Sequence, residues 1–365
     1  MLTTPATSPR NEQLPARGSV NTDILRNPLL SRYEKPDVRK ATWQFVNTFV
    51  PYAALWAVMV WMVRKGISYW LLLPLVVLAS GLLIRIFIFF HDCCHGSFFA
   101  SRRANEVLGY VTGLLTFTPY EAWRHPHARH HATAGDLDRR GMGDVWTLTV
   151  DEYLAASRWK QLSYRLFRNP LVLLLLAPPA LFLIAQRYPR PGAGPREIRS
   201  VLVTNLGILA ILLAASCTVG ISTYLLIQLP IMLITGSLGV WLFYVQHQFE
   251  GVYWARHPEW DPVRAALEGS SYYRLPRVLQ WFTGSIGLHH IHHLRPRIPN
   301  YNLQQCYDEI PDLRAVKPLT FRRSLKSLSL NLYDEATREL VSFRAIKARV
   351  PATPTPAGAT SNRRS

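Results

Sequence analysis

The feature that most constrains the fold is a long stretch without charge, which runs from Val201 to Gln246. A helix needs about 20 apolar residues to cross a hydrocarbon core about 30 Å thick. The stretch is long enough for two such helices, at about 201–219 and 222–246, with a turn between them near Thr218 to Ser222. The chain is therefore predicted to be an integral membrane protein.

Two more apolar segments precede this stretch. Residues 44–63 are uncharged, and residues 67–90 carry a single charged residue, Arg85. Arg85 lies near one end of its segment, so we expect its head group to extend towards the membrane interface. These segments complete four predicted spans. The predicted fold class is all-α, a four-helix transmembrane bundle with a helical cytoplasmic cap.

Two shorter apolar stretches are predicted not to span. Residues 170–187 are interrupted by Pro178 and Pro179, which disfavour a continuous helix. If this stretch crossed the membrane, the arginines between residues 187 and 199 would lie outside, against the preference of Lys and Arg for the cytoplasmic side. We expect the stretch to lie in or dip into the cytoplasmic face, and residues 106–119 to form a similar segment. Both termini are then cytoplasmic.

The spans and the polar regions between them define the predicted domain organisation. One membrane domain covers residues 41–345, and its cytoplasmic cap is made of residues 91–200 and 247–345. Residues 1–40 are predicted to be a disordered or amphipathic tail. Residues 346–365 are too polar and rich in Pro to bury a core, so a disordered C-terminal tail is expected.

Histidines are the second unusual feature, because ten of the 12 lie in short runs at 91–95, 125–131 and 289–293. Residues three and four apart share one face of a helix, so each run can aim imidazoles at a common point. Such a face has little use in packing and suits metal binding. A further histidine, at the end of the fourth span, returns to the same side of the membrane. The predicted metal ligands are His91, His95, His127, His130, His131, His247, His289, His292 and His293.

This ligand set predicts two neighbouring metal ions, because one ion takes only about four to six ligands. Imidazole binds Zn, Cu, Fe and Ni, so the ligand type alone does not identify the metal. His125 and His290 fall outside the repeated spacing, and we expect them to support the ligands rather than bind metal. His257 is expected to be an ordinary polar residue, and Cys93 and Cys94 are expected to fill space between helices.

The sequence around these histidines resembles the integral-membrane fatty acid desaturases with three histidine boxes. The similarity is closest to their bacterial and cyanobacterial omega-6 (Δ12-type) branch, and it extends from about Trp43 to Leu330. The similarity includes long strings around the histidines, so it is more specific than three histidine patterns alone. It is carried by HDCCHGSFF at 91–99, WRHPHARHHATAGDLDRRGMGDVWTLT at 123–149, YVQHQFEGVYW at 244–254 and HHIHHLRPRIPNYNL at 289–303.

The resemblance implies a di-iron centre held by the nine histidines, with O2 as co-substrate. It also implies removal of two hydrogens from adjacent methylenes of an acyl chain, which leaves a cis double bond and water. The acyl chain is expected to be lipid-linked, and the protein to lie in a bacterial inner membrane with a cytoplasmic active site. Two positions depart from the family pattern. Cys94 replaces a frequent Gly, and Phe243 stands where some eukaryotic relatives have Asn, so no water-bridging amide is expected there.

Supporting groups and an electron donor complete the predicted site. Asp136, Asp144 and Glu250 are candidates to orient the imidazoles by hydrogen bonds. The sequence has no glycine fingerprint for flavin or nicotinamide and no cysteine set for an iron–sulfur cluster, so electrons must come from another protein. A small, acidic, ferredoxin-like carrier is expected. The formal charge of +18 fits a basic cytoplasmic surface that receives it and contacts anionic lipid, and nucleic acid is not expected as a partner.

Other functions stay open at this point. Acyl hydroxylation and carotenoid ring oxidation by related ketolases or hydroxylases use the same scaffold, although the long match ending at residue 149 argues against carotenoids. A non-enzymatic metal transporter or haem protein is a remote alternative, because transport predicts polar groups in mid-membrane and residues 201–246 carry no charge. The acyl chain length, the double-bond position, the acyl carrier, the identity of the donor and the oligomeric state are not predicted.

Overall fold

The computed structural model describes residues 22–347, which form a mostly helical fold with a few short strands. The helices are α1 (Pro28–Tyr33), α2 (Val38–Arg64), α3 (Tyr69–His95), α4 (Arg102–Leu115), α5 (Tyr120–Thr133), α6 (Val150–Ala155), α7 (Arg158–Phe167), α8 (Ala177–Pro179), α9 (Pro195–Thr218), α10 (Ile221–His247), α11 (Pro262–Leu267), α12 (Arg277–Phe282), α13 (His289–Leu294), α14 (Asn300–Glu309), α15 (Phe321–Ser324) and α16 (Phe343–Lys347). The strands are β1 (Tyr272–Arg274), β2 (Pro318–Thr320), β3 (Leu332–Asp334) and β4 (Glu339–Val341). Short 3₁₀ turns lie at Thr22–Arg26, Ala185–Arg187, His257–Glu259, Pro311–Ala315 and Leu325–Ser329.

Four helices, α2, α3, α9 and α10, are long and apolar enough to cross a membrane. The break between α9 and α10 falls at Val219 and Gly220, inside the predicted turn. The predictions of a membrane protein, of four long apolar helices and of the mostly helical fold class are therefore confirmed. The strands add only two small sheets, because β1 pairs with β2 in parallel and β3 pairs with β4 antiparallel.

The central helix is α3, which packs against α2, α4 and α10. Near its start, Leu72, Val76 and Ala79 are buried at helical spacing, while the neighbouring Trp70 and Leu71 are exposed. From Leu82 onward almost every side chain of α3 is buried, since α2, α4, α5, α10 and α12 pack around the helix. The last turn of α3 therefore carries its side chains into the interior of the protein.

Gly96 ends α3 directly after the last histidine of the first run. Its φ of +65° is the left-handed conformation that glycine adopts without steric cost. The Gly96 N–H donates to the Cys93 carbonyl at 3.0 Å, and the Ser97 N–H donates to the Asp92 carbonyl at 3.0 Å. These bonds satisfy the final carbonyl groups of the helix and set the position of its last turn.

Arg85 of α3 does not extend to the interface as predicted. It is 3% exposed, and its Nε donates to the Thr48 hydroxyl at 3.1 Å. Its Nη1 donates to the Trp281 carbonyl, and the Trp281 ring centroid lies 4.2 Å from the guanidinium carbon. The prediction fails because α2 and α12 cover this face of α3 and provide acceptors for the guanidinium inside the protein.

The ambiguous stretch at 170–187 folds as a bent segment. It runs from Val172 to Arg187, and its axis makes an angle of 66° with α7. Pro178 and Pro179 lie in α8, with one π-helical turn before them and one after. The segment packs along α10. Gly236 of α10 leaves room for it, because a Cβ at this position would lie 3.0 Å from the Pro178 Cβ.

The chain before and after this segment lies on the side of the bundle that carries the histidines, while Arg187 at its end is hydrogen-bonded to Asn205 of α9. Before it, the Arg168 Nη2 donates to the Gln248 side chain at 2.8 Å, next to His247. After it, α9 begins beside α5, where the Ser200 hydroxyl accepts from the Ala122 N–H at 3.1 Å. The chain therefore enters and leaves the segment on one face, and its non-spanning topology stays a prediction. The other predicted non-spanning segment, residues 106–119, overlaps α4, which has 14 residues, fewer than the about 20 that a span needs.

Residues 22–33 pack into the cap, so the membrane domain begins earlier than predicted. Ile24, Leu30 and Tyr33 are buried in one cluster with Leu294 and Ile298. The sequence signal is a local one: Asn27 caps α1 by accepting from the Leu29 N–H at 3.0 Å. The rest of the predicted N-terminal tail, residues 1–21, and residues 348–365 of the C-terminal tail lie outside the described residues.

Candidate metal centre

The structure brings all nine candidate imidazoles together, in two groups. Within each group the potential ligand atoms lie within 4.8 Å of one another. The group of five contains His91, His95, His127, His131 and His292, and the group of four contains His130, His247, His289 and His293.

The helical runs divide their histidines between the two groups by a simple rule. In α5, His127 and His131 are four residues apart and enter the group of five, while His130 enters the group of four. In α13 the pair at the same spacing enters the group of four, and His292 enters the group of five. Because positions i and i+4 share one line along a helix and i+3 lies beside it, each run serves both groups.

The spacing of the ring nitrogens fits metal ligands. The Nε2 atoms of His95 and His127 are 2.9 Å apart, those of His131 and His292 are 3.0 Å apart, and those of His127 and His131 are 3.2 Å apart. Neighbouring vertices of an octahedron with bonds of about 2.1 Å are about 3.0 Å apart, whereas tetrahedral vertices are about 3.4 Å apart. The first two distances match the octahedral spacing, and the third lies between the two geometries.

The hydrogen bonds made by the imidazoles in the group of four fit a cation bound between two of them. The Nδ1 of His130 lies 2.5 Å from the Asp144 carboxylate, and the Nδ1 of His247 lies 3.3 Å from the Gly269 carbonyl. Both partners are acceptors, so each Nδ1 carries the proton and each Nε2 carries a lone pair. Yet these two Nε2 atoms face each other at 3.0 Å. A metal ion between them would remove the repulsion of the lone pairs.

Asp144 is the member of the predicted acidic trio that contacts a candidate ligand. The Gly141 N–H donates to its second carboxylate oxygen at 2.9 Å, which holds the carboxylate in place. Gly143 has a φ of +84°, and a Cβ there would lie 2.4 Å from the Pro126 carbonyl oxygen. The loop before Asp144 thus packs directly against α5, where His130 lies.

The other two predicted acids form ion pairs elsewhere. Asp136 is fully buried and pairs with His257 at 2.8 Å and with Arg139 at 2.9 Å. Glu250 pairs with Lys326 at 2.5 Å on the surface. Both acids lie near the histidine runs in the sequence, yet their side chains pair with these residues outside the nine candidate ligands.

Asp92 is a partner that sequence reasoning missed. Its Oδ1 lies 3.3 Å from the His91 Nδ1, and its Oδ2 accepts from the Asn300 N–H at 2.7 Å and from the Asn300 side-chain amide at 2.8 Å. Asp92 is 1% exposed. The available signal was an acidic residue directly after a membrane span, where an unpaired carboxylate is costly.

Two histidines of the runs lie outside both groups. The His125 side chain is 61% exposed and lies 3.5 Å from the Glu197 carboxylate. His290 is buried, with its Nε2 3.3 Å from the Leu313 carbonyl. Burial lowers the pKa of His290 to about 4, so it is neutral in the folded cap. Neither contact supports a candidate ligand directly.

Five of the candidate imidazoles in the cap are held in the neutral form that binds metal. Burial is the largest cause, because it disfavours the charged ring, and the neighbouring imidazoles act in the same direction. The pKa lies well below 6.5 for His127, His131, His289, His292 and His293.

Aromatic side chains enclose the two groups. The Trp123 ring stacks on His127 with centroids 4.1 Å apart. The Phe243 ring lies 5.2 Å from the His130 ring and 5.4 Å from the His247 ring, so an apolar side chain borders the group of four. Cys93 is buried among aromatic rings, and its carbonyl accepts from the Tyr120 hydroxyl at 2.8 Å.

Comparison with known proteins agrees with this site. The sequence model of the family described as "Fatty acid desaturase" matches residues 67–323. A protein of Bacillus subtilis (strain 168) named "Fatty acid desaturase" is 48% identical over 318 residues, which cover 87% of this chain and 90% of the relative. A chloroplastic "sn-2 acyl-lipid omega-3 desaturase (ferredoxin)" of Arabidopsis thaliana is 27% identical over 84% of this chain and 72% of its own length.

A tobacco relative, the "Omega-3 fatty acid desaturase, endoplasmic reticulum" of Nicotiana tabacum, is 27% identical over 74% of this chain and 73% of its own length. The family match covers most of the chain, including all three histidine runs. Together with the two groups of imidazoles at the ends of the long helices, these similarities show that the chain belongs to the fatty acid desaturase family of membrane oxidoreductases.

Proposed function

We propose that the protein is an O2-dependent acyl desaturase that introduces a cis double bond with a di-iron centre held by the nine histidines. The observation that carries the metal assignment is the pair of Nε2 lone pairs of His130 and His247, which face each other at 3.0 Å. The nitrogen spacing in the group of five supports a second ion. Reduced iron, when bound, would supply the O2 chemistry needed to break an unactivated C–H bond.

The protein's own part is to hold the imidazoles neutral and correctly oriented. Asp144 keeps the Nδ1 of His130 protonated, so that Nε2 points its lone pair at the site. Asp92 acts on His91 in the same way, and Asn300 fixes its carboxylate. Trp123 and Phe243 exclude water from the rings they cover. A dry, rigid site limits side reactions and keeps the substrate methylenes in place.

For the substrate, we propose a lipid-linked acyl chain. The histidine groups lie at the ends of α3 and α10, so an acyl chain can approach them from the bilayer without passing through water. The name of the Arabidopsis relative specifies an acyl chain at the sn-2 position of a lipid. We retain omega-6, Δ12-type regiochemistry as the predicted outcome, and product analysis is the measurement that decides it.

For the electron donor, we propose a small acidic carrier of the ferredoxin type. The name of the Arabidopsis relative specifies ferredoxin, and the +18 charge of this chain favours an acidic partner. Docking between opposite charges weakens with salt. We expect turnover with reduced ferredoxin to fall as ionic strength rises, and turnover that does not respond to salt would contradict this partner.

For topology, we propose that the histidine groups and both termini lie on the cytoplasmic side of a bacterial inner membrane. The arginines between Arg187 and Arg199 lie near the histidine side of α9 and fit the positive-inside preference. A reporter enzyme fused near residue 193 should give a cytoplasmic signal. An external signal at this position would overturn the topology.

The test of the function is fatty acid profiling after expression in a host that lacks desaturases. We expect a new unsaturated fatty acid with the native chain and none with His130→Ala. His125→Ala is the matched control, because His125 lies on the same helix and outside both groups; it should keep the product. If the new unsaturated fatty acid still forms with His130→Ala, the assignment of the site is overturned. Hydroxylated acyl chains would identify the enzyme as a hydroxylase instead.

A further inference from the structure

Helix α7 carries large side chains on two opposite faces. On one face Tyr164 is fully buried and accepts a hydrogen bond from the Leu148 N–H at 3.1 Å. On the other face Trp159, Leu162 and Leu166 are exposed, and Trp159 is 79% exposed. At about 100° per residue these three fall within an arc of about 60°, centred about 170° from Tyr164. We call them the α7 stripe.

The position of α7 places the stripe at the edge of the membrane. The segment Val172–Arg187 follows α7 and runs along the membrane-spanning helix α10: Pro178 and Phe182 border an apolar cavity together with Leu229 and Leu233 of α10. The axis of α7 makes an angle of 66° with that segment. The segment packs along α10, so an angle of this size turns α7 away from the direction of that span.

The exposed apolar surface continues from the stripe into the membrane. Leu171, Leu175 and Leu176, in and just before the bent segment, are also exposed in the isolated chain. Side chains that pack along a membrane-spanning helix and still face outward are in contact with lipid. The α7 stripe adjoins this lipid-facing surface in the sequence, across the short connection at residues 168–171.

The charges of α7 suit a membrane surface. The helix contains three basic residues and no acidic residue. Arg158 is exposed and flanks the stripe, and Arg165 is held by the protein, because its Nε donates to the Tyr153 hydroxyl at 2.5 Å. Helices with an apolar face beside basic residues lie in the interface between headgroups and acyl chains.

We propose that the α7 stripe inserts into the boundary between headgroups and acyl chains on the histidine side of the membrane, with Arg158 at the phosphates. Lipid is the proposed occupant because the stripe is continuous with the lipid-facing leucines and flanked by positive charge. In this position α7 fixes the height at which the bent segment enters the bilayer. The inference depends on membrane insertion of the long helices and not on the proposed chemistry.

A site-specific fluorescence measurement tests the proposal in the full chain. Cys217 is an exposed thiol and the other three cysteines are buried, so a Cys217→Ser background leaves one added cysteine for labelling. Leu162→Cys labels the stripe. Lys160→Cys is the matched control, exposed on the same helix and about 160° away around its axis. Each labelled protein is placed in vesicles of phosphatidylcholine and phosphatidylglycerol.

We expect the label at position 162 to be quenched by a shallow lipid-borne nitroxide and shielded from aqueous iodide, with the reverse order at position 160. Equal access of iodide to both positions would mean that the stripe faces water, and shielding of position 162 from both quenchers would mean that protein covers it. Either result overturns the proposal. If Leu162→Cys does not give a monodisperse protein, Trp159→Cys provides the same measurement.

Discussion

The two histidine groups are built from the same runs, yet they differ in ligand number and in support. The group of five depends on the end of α3, which contributes His91 and His95, and the group of four depends on the end of α10, which contributes His247. Asp144 lies 2.5 Å from His130 in the group of four, whereas Asp92 lies 3.3 Å from His91 in the group of five.

We therefore expect the group of four to lose its metal more readily than the group of five when one ligand is removed. The group of four offers one imidazole fewer to a metal, and the side chain of Phe243 beside it has no ligand atom. Its geometry therefore depends more on the carboxylate of Asp144 and on the loop that holds it. Four substitutions or conditions test this comparison, in order of decreasing expected effect.

Removing an imidazole should have the largest effect, and a larger one in the group of four. His247→Ala leaves three imidazoles there, so we expect iron to fall from about two ions per chain to about one and desaturation to be abolished. His95→Ala leaves four imidazoles in its group and should retain more iron. The measurements are iron content by mass spectrometry and product formation. Equal iron loss in the two variants would show that the two groups retain metal equally well after losing one imidazole.

Asp144→Asn should weaken the group of four without removing a ligand. An amide can donate as well as accept, so it no longer selects the tautomer of His130 with a protonated Nδ1. Loss of such a partner typically costs about 10- to 100-fold in metal affinity or activity. Glu250→Gln is the control, because Glu250 pairs with Lys326 on the surface, and it should leave iron content unchanged. The expectation fails if both variants bind iron as the native chain does.

Gly143→Ala should disturb the same carboxylate through the backbone. The new Cβ would lie 2.4 Å from the Pro126 carbonyl oxygen and 3.1 Å from the His130 Cβ, so the loop before Asp144 must move. We expect about tenfold lower activity, at the lower end of the range for a disturbed supporting carboxylate. Gly192→Ala is the matched control, with a φ of +76° and open space at the Cβ. It shares the backbone strain of about 1–2 kcal/mol but not the clash, and a similar loss in both would assign the effect to strain.

Acidification should have the smallest effect near neutral pH. The cap imidazoles, such as His131 and His293, have pKa values well below 6.5 because of burial, so they stay neutral as the pH falls through 6.5. Protons compete with the metal only in more acidic solution. Iron content measured after gel filtration at stepped pH should hold from pH 7 to about 6, and loss of half the iron near pH 6.5 would contradict the burial argument.

The lowered pKa values of the buried imidazoles should also make the stability of the metal-free protein depend on pH. The unfolded chain takes up protons on its histidines near pH 6.5, while the folded chain does not until the pH reaches the lowered values. The unfolded state therefore gains protons first, and the free energy of unfolding should decrease as the pH drops below about 6.5. His290, with a pKa of about 4, contributes to this effect from outside both groups.

Much of the fold and site was predictable from local patterns. Span number follows from uncharged length, because a bilayer has a fixed thickness and charge inside it is costly. The clustering of the nine imidazoles followed from helical spacing and from the side of the membrane to which each run returns. Spacing of three and four residues also implies that each run is divided between the two groups, although only the ring contacts of α5 with α10 and α13 show which histidine enters which group.

The errors came from contacts between distant parts of the chain. Arg85 was expected at the interface because nothing in the sequence places Trp281 of α12 against it. Residues 22–33 were assigned to a tail, since their few apolar side chains become a core only against α13 and α14. Asp136 and Asp144 were equivalent candidates in the sequence, and the fold directs one to His257 and the other to His130.

Hydrophobic length and spacing within one helix are enough to predict the membrane environment, the number of long helices and the histidines of the candidate metal centre. Which imidazoles share a group and which carboxylate contacts a candidate ligand follow from the tertiary structure alone. These depend on how separate helices pack, and a pattern within a single helix does not specify its neighbours.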